Sequence, residues 1–320
     1  MNWHFLWESP LLQSAWIIVA AIIVESLWLW PEKFHPLTFF RLVAARMQAK
    51  VNRHTERSHQ QNLIAGTMAP ILLVGPVLIC VWLFMEFVHF RWFFDFLILV
   101  VAIHFKPTLI RFKRVHHYIQ QAHKHVSRDL LQPLVLRETQ QLSPLGIGKA
   151  AMESVALRFY YQVTVPLFWF FVAGPVAALG VRLLFECQQT WPRKHSRFRY
   201  FGRSAAFAFK WLASIPILLS SFILGAFYRP FSTLPQWFKG LFNPSRHAIL
   251  RITSSAIKAE LGGPAIYEGK KVRFPRWNSN CPTKVGHMAI MLQYIQGAKA
   301  ISAVTYVMIA SILFGIFHIA

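Results

Sequence analysis

Residues 137–188 read RETQQLSPLGIGKAAMESVALRFYYQVTVPLFWFFVAGPVAALGVRLLFECQ and join a polar segment to a long apolar run. A Pro-Gly turn at Pro144–Gly148 separates the two parts, and the hydrophobic run extends from about Tyr160 to Phe185. This run is long enough to cross a bilayer as a helix, and Gly174-Pro175 inside it predicts a kink. The polar segment is the densest cluster of potentially reactive side chains in the chain. We therefore expect any chemistry where that segment meets the membrane surface.

The composition of the whole chain agrees with a membrane protein. Its 320 residues are 55% hydrophobic and 15% aromatic, and the mean hydropathy is +0.39. Soluble domains rarely combine such values with several runs of about 20 apolar residues. The sequence therefore predicts an all-α, polytopic integral membrane protein with five to six spans and amphipathic cytoplasmic helices.

The predicted spans form one membrane domain over residues 1–320. Apolar runs predict spans near residues 11–30, 63–88, 91–105, 160–185, 204–227 and 301–320, with a polar loop at 229–299. The third run is short and contains Asp95, so a half-buried helix is the alternative there. The N-terminal MNWHFLWESP carries no positive charge, so we expect no cleaved signal peptide.

The net charge of +22 comes from basic segments between the apolar runs. Basic loops beside an anionic cytoplasmic leaflet explain this pattern better than nucleic acid does, so the expected partner is the lipid bilayer and no nucleic acid. Segment 38–63 is basic with one apolar face and predicts an amphipathic helix on the membrane. Counting spans places the basic 190–203 loop outside, against the positive-inside rule, so re-entry of the third or central run stays an alternative.

Histidines and cysteines do not form a convincing metal site. The histidines between Lys106 and Arg137 include His116, His117, His123 and His125. Helical spacing does not gather these four on one face, so we predict a solvated basic helix and no metal site. The cysteines, Cys80, Cys187 and Cys281, are far apart and form no CxxC pair.

A glycine-rich turn is the second candidate for a functional segment. It lies in LGGPAIYEGKKVRFPRW, residues 261–277. Gly262-Gly263-Pro264 predicts a tight turn, because glycine allows positive φ or a close backbone approach and proline fixes the exit. Two interpretations stay open: a connecting turn, or a turn whose N–H groups hold a phosphate beside Lys270 and Lys271.

Taken together, these segments resemble the CobD/CbiB family of integral membrane proteins of cobalamin biosynthesis. The matching residues in chain order are Glu25, His35-Pro36, Arg137-Glu138-Thr139, Glu153, Pro166-Leu167-Phe168, Arg182, Leu261-Gly262-Gly263-Pro264, Tyr267, Gly269, Val272 and Pro275. Only the last run is fairly specific alone, and the collinear order supports the rest. The resemblance implies a bacterial inner-membrane protein that joins aminopropanol, or its phosphate, to adenosylcobyric acid through an amide, using ATP and magnesium.

The resemblance also implies which residues form the site. Its substrate-binding candidates are Glu25, His35, Arg137, Thr139, Arg182, Gly262, Gly263 and Pro264. Glu138 and Glu153 are the candidates for catalysis, as metal ligands or as a general base. Arginine binds phosphate and carboxylate well, so the implied partner is a corrinoid or another anionic small molecule.

The chain departs from the family at its acidic motif. Where the family shows Glu-Asn-Thr-x-Asp-Gly after the helical glutamate, this chain has Leu157, Arg158, Phe159, Tyr161 and Gln162. Further family acids correspond here to Gln188, Phe209, Lys210 and Leu250. Magnesium needs hard oxygen ligands, so ATP and magnesium are implied only if the synthase activity is retained.

The replacement of the acidic motif by basic and aromatic residues also resembles AmpE, a distantly related membrane protein linked to β-lactamase regulation. Two functions therefore stay open: a synthase with a degenerate motif, and a non-catalytic AmpE-like sensor or regulatory protein. A transporter is a third alternative, supported by Glu25, Asp95 and the proline-broken spans.

Overall fold

The structure is a computed structural model that describes residues 9–51, 58–240 and 246–319. It is helical apart from a few short strands, which confirms the predicted all-α class. Two expectations fall partly outside the described residues. They are the absence of a signal peptide, which concerns residues 1–8, and the amphipathic character of segment 38–63 at Arg53 and Arg57.

The elements follow one another as helices, with the strands confined to the segment after residue 260. The α-helices are α1 Pro10–Leu27, α2 Pro36–Val51, α3 His59–Phe87, α4 Arg91–Ala102, α5 Lys106–Gln120, α6 Lys124–Leu131, α7 Pro144–Phe159, α8 Val165–Thr190, α9 Arg203–Tyr228, α10 Pro230–Gly240, α11 Arg246–Ile257 and α12 His287–Ile319. The strands are β1 Leu261–Gly262, β2 Ala265–Tyr267, β3 Lys270–Val272 and β4 Arg276–Trp277. Strand β1 pairs antiparallel with β4, and β2 pairs antiparallel with β3.

Within the described residues, six helical segments are long and apolar enough to cross a membrane, which confirms a multi-pass membrane protein. They are Pro10–Leu27, His59–Phe87, Arg91–Gln120, Pro144–Thr190, Arg203–Tyr228 and His287–Ile316. The last begins well before the predicted residue 301, so the predicted polar loop 229–299 contains α10, α11, the strands and the start of α12. A search for apolar runs misses this start, because its buried residues Met288, Met291, Ile295 and Ala298 repeat only at helical spacing.

The central helical segment departs from regular α-helical geometry at two places. A turn of π-helix at Tyr160–Thr164 joins α7 to α8. Inside α8, Gly174 has φ 80° and ψ −173°, which is not helical, and Pro175 follows it. A side chain at this φ would be strained, and proline removes a helical hydrogen bond, so both residues favour the break. The kink predicted at Gly174-Pro175 is confirmed.

The described residues pack into two compact units. Unit 1 contains the described residues within Met1–His104, Tyr161–Ala213 and Ala300–Ala320, and unit 2 contains those within Phe105–Tyr160 and Ser214–Lys299. The single membrane domain over residues 1–320 stays a prediction.

In unit 1, helix α8 packs against α2, α3 and α4. Leu37, Phe40 and Ala44 lie on one face of α2 and belong to the same core as Leu183 and Cys187 of α8. This packing brings α2 alongside the C-terminal half of α8, where Arg182 and Glu186 lie.

In unit 2, helix α7 is the buried centre. It packs against α5, α6, α11 and β1, and nearly all of its residues after Gly146 are buried. A charged side chain on such a helix needs partners from the surrounding elements, because an unpaired buried charge is costly.

Candidate functional sites

Most of the predicted site residues lie in or beside two ionic clusters, one within each unit. The cluster of unit 2 is centred on Glu153 of α7, and the cluster of unit 1 is centred on Glu186 of α8.

Glu153 is buried, with 2% of its side chain exposed, and both of its carboxylate oxygens have partners. Oε2 accepts a hydrogen bond from Arg137 Nη2 and lies 3.7 Å from Arg246 Nη2. Oε1 accepts a hydrogen bond from the backbone N–H of Gly262 at 2.7 Å. One carboxylate therefore joins the segment before α7, the start of α11 and the glycine turn.

The glycine turn has the backbone that its sequence predicts. Gly262 and Gly263 have φ of 87° and 104°. A Cβ on Gly262 would collide with the carbonyl oxygen of Pro275. Both positive φ and close backbone approach are thus present, which explains the two glycines.

Two further cations line the same turn. Lys149 Nζ lies 2.6 Å from Glu260 Oε1, and Arg276 Nε lies 3.8 Å from that oxygen. A Cβ placed on Gly263 would be 3.7 Å from both Lys149 Nζ and Arg276 Nε. We call this set the turn cluster: Arg137, Lys149, Glu153, Arg246, Glu260, Gly262, Gly263 and Arg276. Its four cations and two carboxylates leave two positive charges in excess.

Glu138 and Thr139 hold the backbone near this cluster. The exposed Glu138 accepts a hydrogen bond from the N–H of Gly269 at 2.7 Å, and its own N–H donates to the carbonyl of Ile266 at 2.9 Å. Thr139 is buried and donates to Gln132 Oε1 at 2.6 Å. Pro264 is exposed, as are Lys270 and Lys271 on β3.

A row of guanidinium and aromatic groups adjoins the turn cluster. The guanidinium of Arg246 lies 4.9 Å from the ring of Phe274, and that of Arg251 lies 4.3 Å from the ring of Trp277. Arg246 Nε, Arg251 Nε and Trp277 Nε1 are buried N–H groups for which the described ranges supply no acceptor. Such donors favour an anionic or carbonyl-rich ligand over a cation.

Gly262→Ala tests the close approach at the turn. We expect it to lower the free energy of unfolding by at least about 2 kcal/mol, because the left-handed backbone alone costs about 1–2 kcal/mol and the collision adds to it. Gly269→Ala is the matched control, since Gly269 has φ 73° but nothing within 4 Å of its Cβ position. Thermal unfolding in detergent compares the two variants. Equal losses would show that the approach to Pro275 contributes nothing.

The cluster of unit 1 pairs Glu186 with two arginines. Arg182 Nη2 lies 2.8 Å from Glu186 Oε1, one helical turn away on α8. Arg41 of α2 binds both oxygens, with Nε 2.5 Å from Oε2 and Nη2 3.2 Å from Oε1. The side chains of Arg182 and Glu186 are 0% and 1% exposed, whereas that of Arg41 is 39% exposed. Burial lowers the pKa of Arg41, but the charge and hydrogen bond of Glu186, with the charge of Glu32, outweigh burial and raise it.

Two histidines lie beside these arginines. The rings of His35 and His104 are stacked, with centroids 3.7 Å apart and planes inclined by 24°. His35 Nδ1 accepts a hydrogen bond from the N–H of Leu37 at 3.2 Å, so the neutral ring carries its proton on Nε2. Nε2 of His35 and Nε2 of His104 are both buried, and neither has a hydrogen-bond partner within the part of the chain that the structure describes.

His35 gives unit 1 a predictable dependence on pH. Burial and the charges of Arg182 and Arg41 lower the pKa of His35 from 6.5 to about 4, and Glu186 opposes them. Between these two values the unfolded chain binds a proton that the folded chain does not, so stability falls as the pH drops. We expect a loss of about 2 kcal/mol from pH 7 to pH 5. Melting curves of wild type and His35→Phe at both pH values check this. The same loss of stability from pH 7 to pH 5 in both proteins would contradict it.

The predicted site residues divide between the units. Glu25, His35 and Arg182 lie in unit 1, where Glu25 is buried on α1. Arg137, Glu138, Thr139, Glu153, Gly262, Gly263 and Pro264 lie in unit 2. Sequence reasoning missed Arg41, His104, Lys149, Glu186, Arg246, Glu260 and Arg276. One signal was available for Glu186, which lies four residues after Arg182 and two before Gln188.

The carboxylates of the clusters do not fit a magnesium site. Glu153 and Glu186 each contact two guanidinium groups. In residues 9–51, 58–240 and 246–319 no group of three or more His, Cys, Asp or Glu side chains could hold a metal ion. The cations and glycines of the turn cluster do suit phosphate oxygens.

Comparison with known proteins identifies the family. A family model described as CobD/Cbib protein matches residues 18–295. A protein of Stutzerimonas stutzeri (strain A1501) named "Cobalamin biosynthesis protein CobD" is 25% identical over 292 residues, which cover 87% of this chain and 92% of that protein. Proteins of the same name from Chromobacterium violaceum and Sinorhizobium sp are 25% identical over 85% and 82% of this chain, and 89% and 85% of their own lengths. No solved structure matches the chain. Because the family model covers most of its length, this multi-pass membrane protein belongs to the CobD/CbiB family.

Proposed function

We propose that this chain acts in cobalamin biosynthesis in the bacterial inner membrane, at the step that joins aminopropanol phosphate to adenosylcobyric acid. The observation that carries the proposal is the family match over residues 18–295, among relatives named for cobalamin biosynthesis. The part of that step that the described side chains support best is the binding of the phosphate.

The turn cluster supplies what a phosphate monoester needs. Its two surplus positive charges match the charge of a phosphate monoester, about −1.5 to −2 near neutral pH. Lys149 and Arg276 converge on Gly263, whose missing side chain lets an oxyanion approach the backbone. A dianion here would also offset the mutual repulsion of the four cations. The charge balance therefore favours the phosphorylated form of aminopropanol over the free amine.

Glu153 has a positioning role in this proposal. Its oxygens hold Arg137, Arg246 and the N–H of Gly262, which fixes two cations and the turn relative to one another. A carboxylate already bound to two guanidinium groups is a poor metal ligand, because their positive charges compete with a cation for its oxygens. Glu138 holds the β2–β3 hairpin through Gly269 in the same way.

A second candidate function is a non-catalytic binding or regulatory protein. The observation that favours it is the pairing of both central carboxylates, Glu153 and Glu186, with arginines. Such a protein binds the anionic ligand at the turn cluster without turning it over.

Complementation tests the proposal. The chain is expressed in a bacterium that lacks its own CobD/CbiB protein and whose growth requires cobalamin made from cobyric acid. We expect growth with wild type and with Lys149→Arg, and loss of growth with Lys149→Met, because only the last removes a cation from the turn. Membrane insertion of each variant is measured in parallel. If well-inserted wild type gives no growth, the synthase role is wrong and the binding protein is the remaining candidate.

A further inference from the structure

We propose that residues 161–190 form a re-entrant helical hairpin, which enters the bilayer and returns to the face from which it entered. Its apolar tip lies at Gly174 and contacts lipid, and the basic loop 190–203 lies on the face of entry, beside anionic headgroups. The proposal concerns unit 1 alone and does not depend on the reaction proposed for the chain.

The two ends of this segment are in contact with each other. The rings of Tyr161 and Phe185 have centroids 5.7 Å apart. In a continuous α-helix, residues 24 positions apart (185 − 161) would be separated by about 36 Å. The ring of Phe209 of α9 packs against both, with centroids 5.4 Å from Tyr161 and 5.3 Å from Phe185. The segment therefore folds back on itself between Tyr161 and Phe185.

The chain reverses at Gly174. Residue 173 is the midpoint of 161 and 185, and the non-helical backbone of Gly174, with φ 80° and ψ −173°, lies directly after it. Glycine adopts this φ without strain. Pro175 then begins the second arm, and proline suits the first turn of a helix because its missing N–H would have no helical partner there.

Neither arm is long enough to cross the bilayer. As α-helices, residues 161–173 extend about 20 Å and residues 175–190 about 24 Å, whereas the hydrocarbon core is about 30 Å thick. The ring of Phe171, near the tip, packs on that of Tyr306 of α12, with centroids 5.3 Å apart. From Tyr306 the spanning segment of α12 continues to Ile316, about 15 Å further. The tip therefore ends part-way along a spanning helix.

The distribution of charge agrees with this placement. Residues 161–181 carry no charge, and the first charged residues of the second arm, Arg182 and Glu186, lie beside Phe185 at the open end. At the tip, Val172 is 60% exposed and Ala173 is also exposed. Hydrocarbon is the favourable surrounding for such apolar side chains, and charges are costly at the bilayer centre. The tip therefore contacts lipid, while the open end lies towards the membrane surface.

The basic loop 190–203 supplies an independent observation. The ring of Tyr200 in this loop is stacked on that of His59 at the start of α3, with centroids 4.2 Å apart. The loop therefore lies on the same face as the end of the basic segment 38–63. A straight central span would place it on the opposite face. Re-entry brings both basic segments to one face, as the positive-inside rule requires, and anionic lipid is the partner that suits them there.

Thiol accessibility in membrane vesicles tests the topology. Single cysteines are introduced into the full chain after its own cysteines are replaced, and a membrane-impermeant maleimide is applied to right-side-out and inverted vesicles. The variants are Gln60→Cys, His89→Cys, Ala173→Cys and Ser196→Cys, in a background of Cys80→Ala, Cys187→Ala and Cys281→Ser. We expect Ser196→Cys to be labelled from the same face as Gln60→Cys, and His89→Cys, at the other end of α3, from the opposite face. Ala173→Cys should be labelled from neither face.

Cross-linking tests the fold-back without reference to the membrane. Dibromobimane is a short reagent that becomes fluorescent only when it joins two thiols. We expect it to join Tyr161→Cys to Phe185→Cys, and not Tyr161→Cys to Ala173→Cys, which lie about 18 Å apart along one arm.

The labelling positions are exposed, so that test stands even where a cross-linking variant fails to fold. Labelling of Ser196→Cys from the face of His89→Cys, or of Ala173→Cys from that face, would overturn the proposal. Absence of the cross-link between positions 161 and 185 in folded protein would overturn it as well.

Discussion

Glu186→Ala is expected to lower the free energy of unfolding by about 3–5 kcal/mol, because it breaks a buried ion pair. The substitution leaves the guanidinium of Arg182 in a position with no solvent exposure and without its carboxylate. Arg41 loses the same partner, but its side chain is 39% exposed and can turn towards water. The loss should therefore come mainly from Arg182. Unfolding of the purified protein in detergent, followed by tryptophan fluorescence, measures it.

Two control variants separate this cause from a simple loss of packing. Arg41→Gln should cost only about 1 kcal/mol, because a part-exposed ion pair contributes little. Arg182→Leu combined with Glu186→Leu should recover most of the stability lost in Glu186→Ala, because it removes the buried charge together with its partner. A double variant less stable than Glu186→Ala would contradict this account of the cluster.

Glu153→Ala should lower the free energy of unfolding by a similar amount through unit 2, again about 3–5 kcal/mol. It leaves Arg137, which is 9% exposed, without its ion-pair partner and the N–H of Gly262 without its acceptor. Glu153→Gln should fall between wild type and Glu153→Ala, because an amide oxygen still accepts from Gly262 while the charge is lost. The measurement is the same unfolding experiment in detergent.

The glutamine variant also distinguishes positioning from catalysis. If Glu153 positions the turn, growth in the complementation assay should decline in proportion to the amount of folded Glu153→Gln protein in the membrane. If Glu153 were the general base or a metal ligand, Glu153→Gln would abolish growth at wild-type stability. That second pattern would contradict the role proposed here.

The presence of several membrane-spanning helices is the part of the fold that the sequence predicts best. An apolar run of membrane length is a local property of the chain, and so is the Gly174-Pro175 break, so both follow without knowledge of tertiary contacts. The start of α12 was mispredicted, because its buried apolar residues alternate with the exposed Gln293 and Gln296. There the hydrophobic signal lies on one face of the helix and not in a run.

The sequence predicted several residues of the candidate site, but it did not predict which of them are in contact. Glu153, Arg137 and Gly262 were all expected from the resemblance, and the structure brings them together. Glu153 contacts arginines and is not available to a metal ion. One of these arginines is Arg246, which lies 93 positions further along the chain (246 − 153). Pairing over such a distance is set by tertiary structure. Among the residues that were missed, only Glu186 has a signal in the local sequence, because it lies four residues after its ion-pair partner Arg182.

The same limit applies to the cations. Lys149 and Arg276 are unremarkable in the sequence, since the chain holds 34 lysines and arginines. Their importance comes from the folding of β1 and β4 beside α7, which brings both to Gly263. Most of the other basic residues have the simpler explanation of loops near anionic lipid.

Calorimetric binding of aminopropanol phosphate to the purified full chain tests the central claim most directly, with unphosphorylated aminopropanol as the matched ligand. We predict that the phosphate form binds at least about tenfold more tightly, a difference of roughly 1.4 kcal/mol, and that Lys149→Met but not Lys149→Arg removes this preference. Equal affinity for the two ligands, or a preference that survives Lys149→Met, would show that the turn cluster is not the phosphate site.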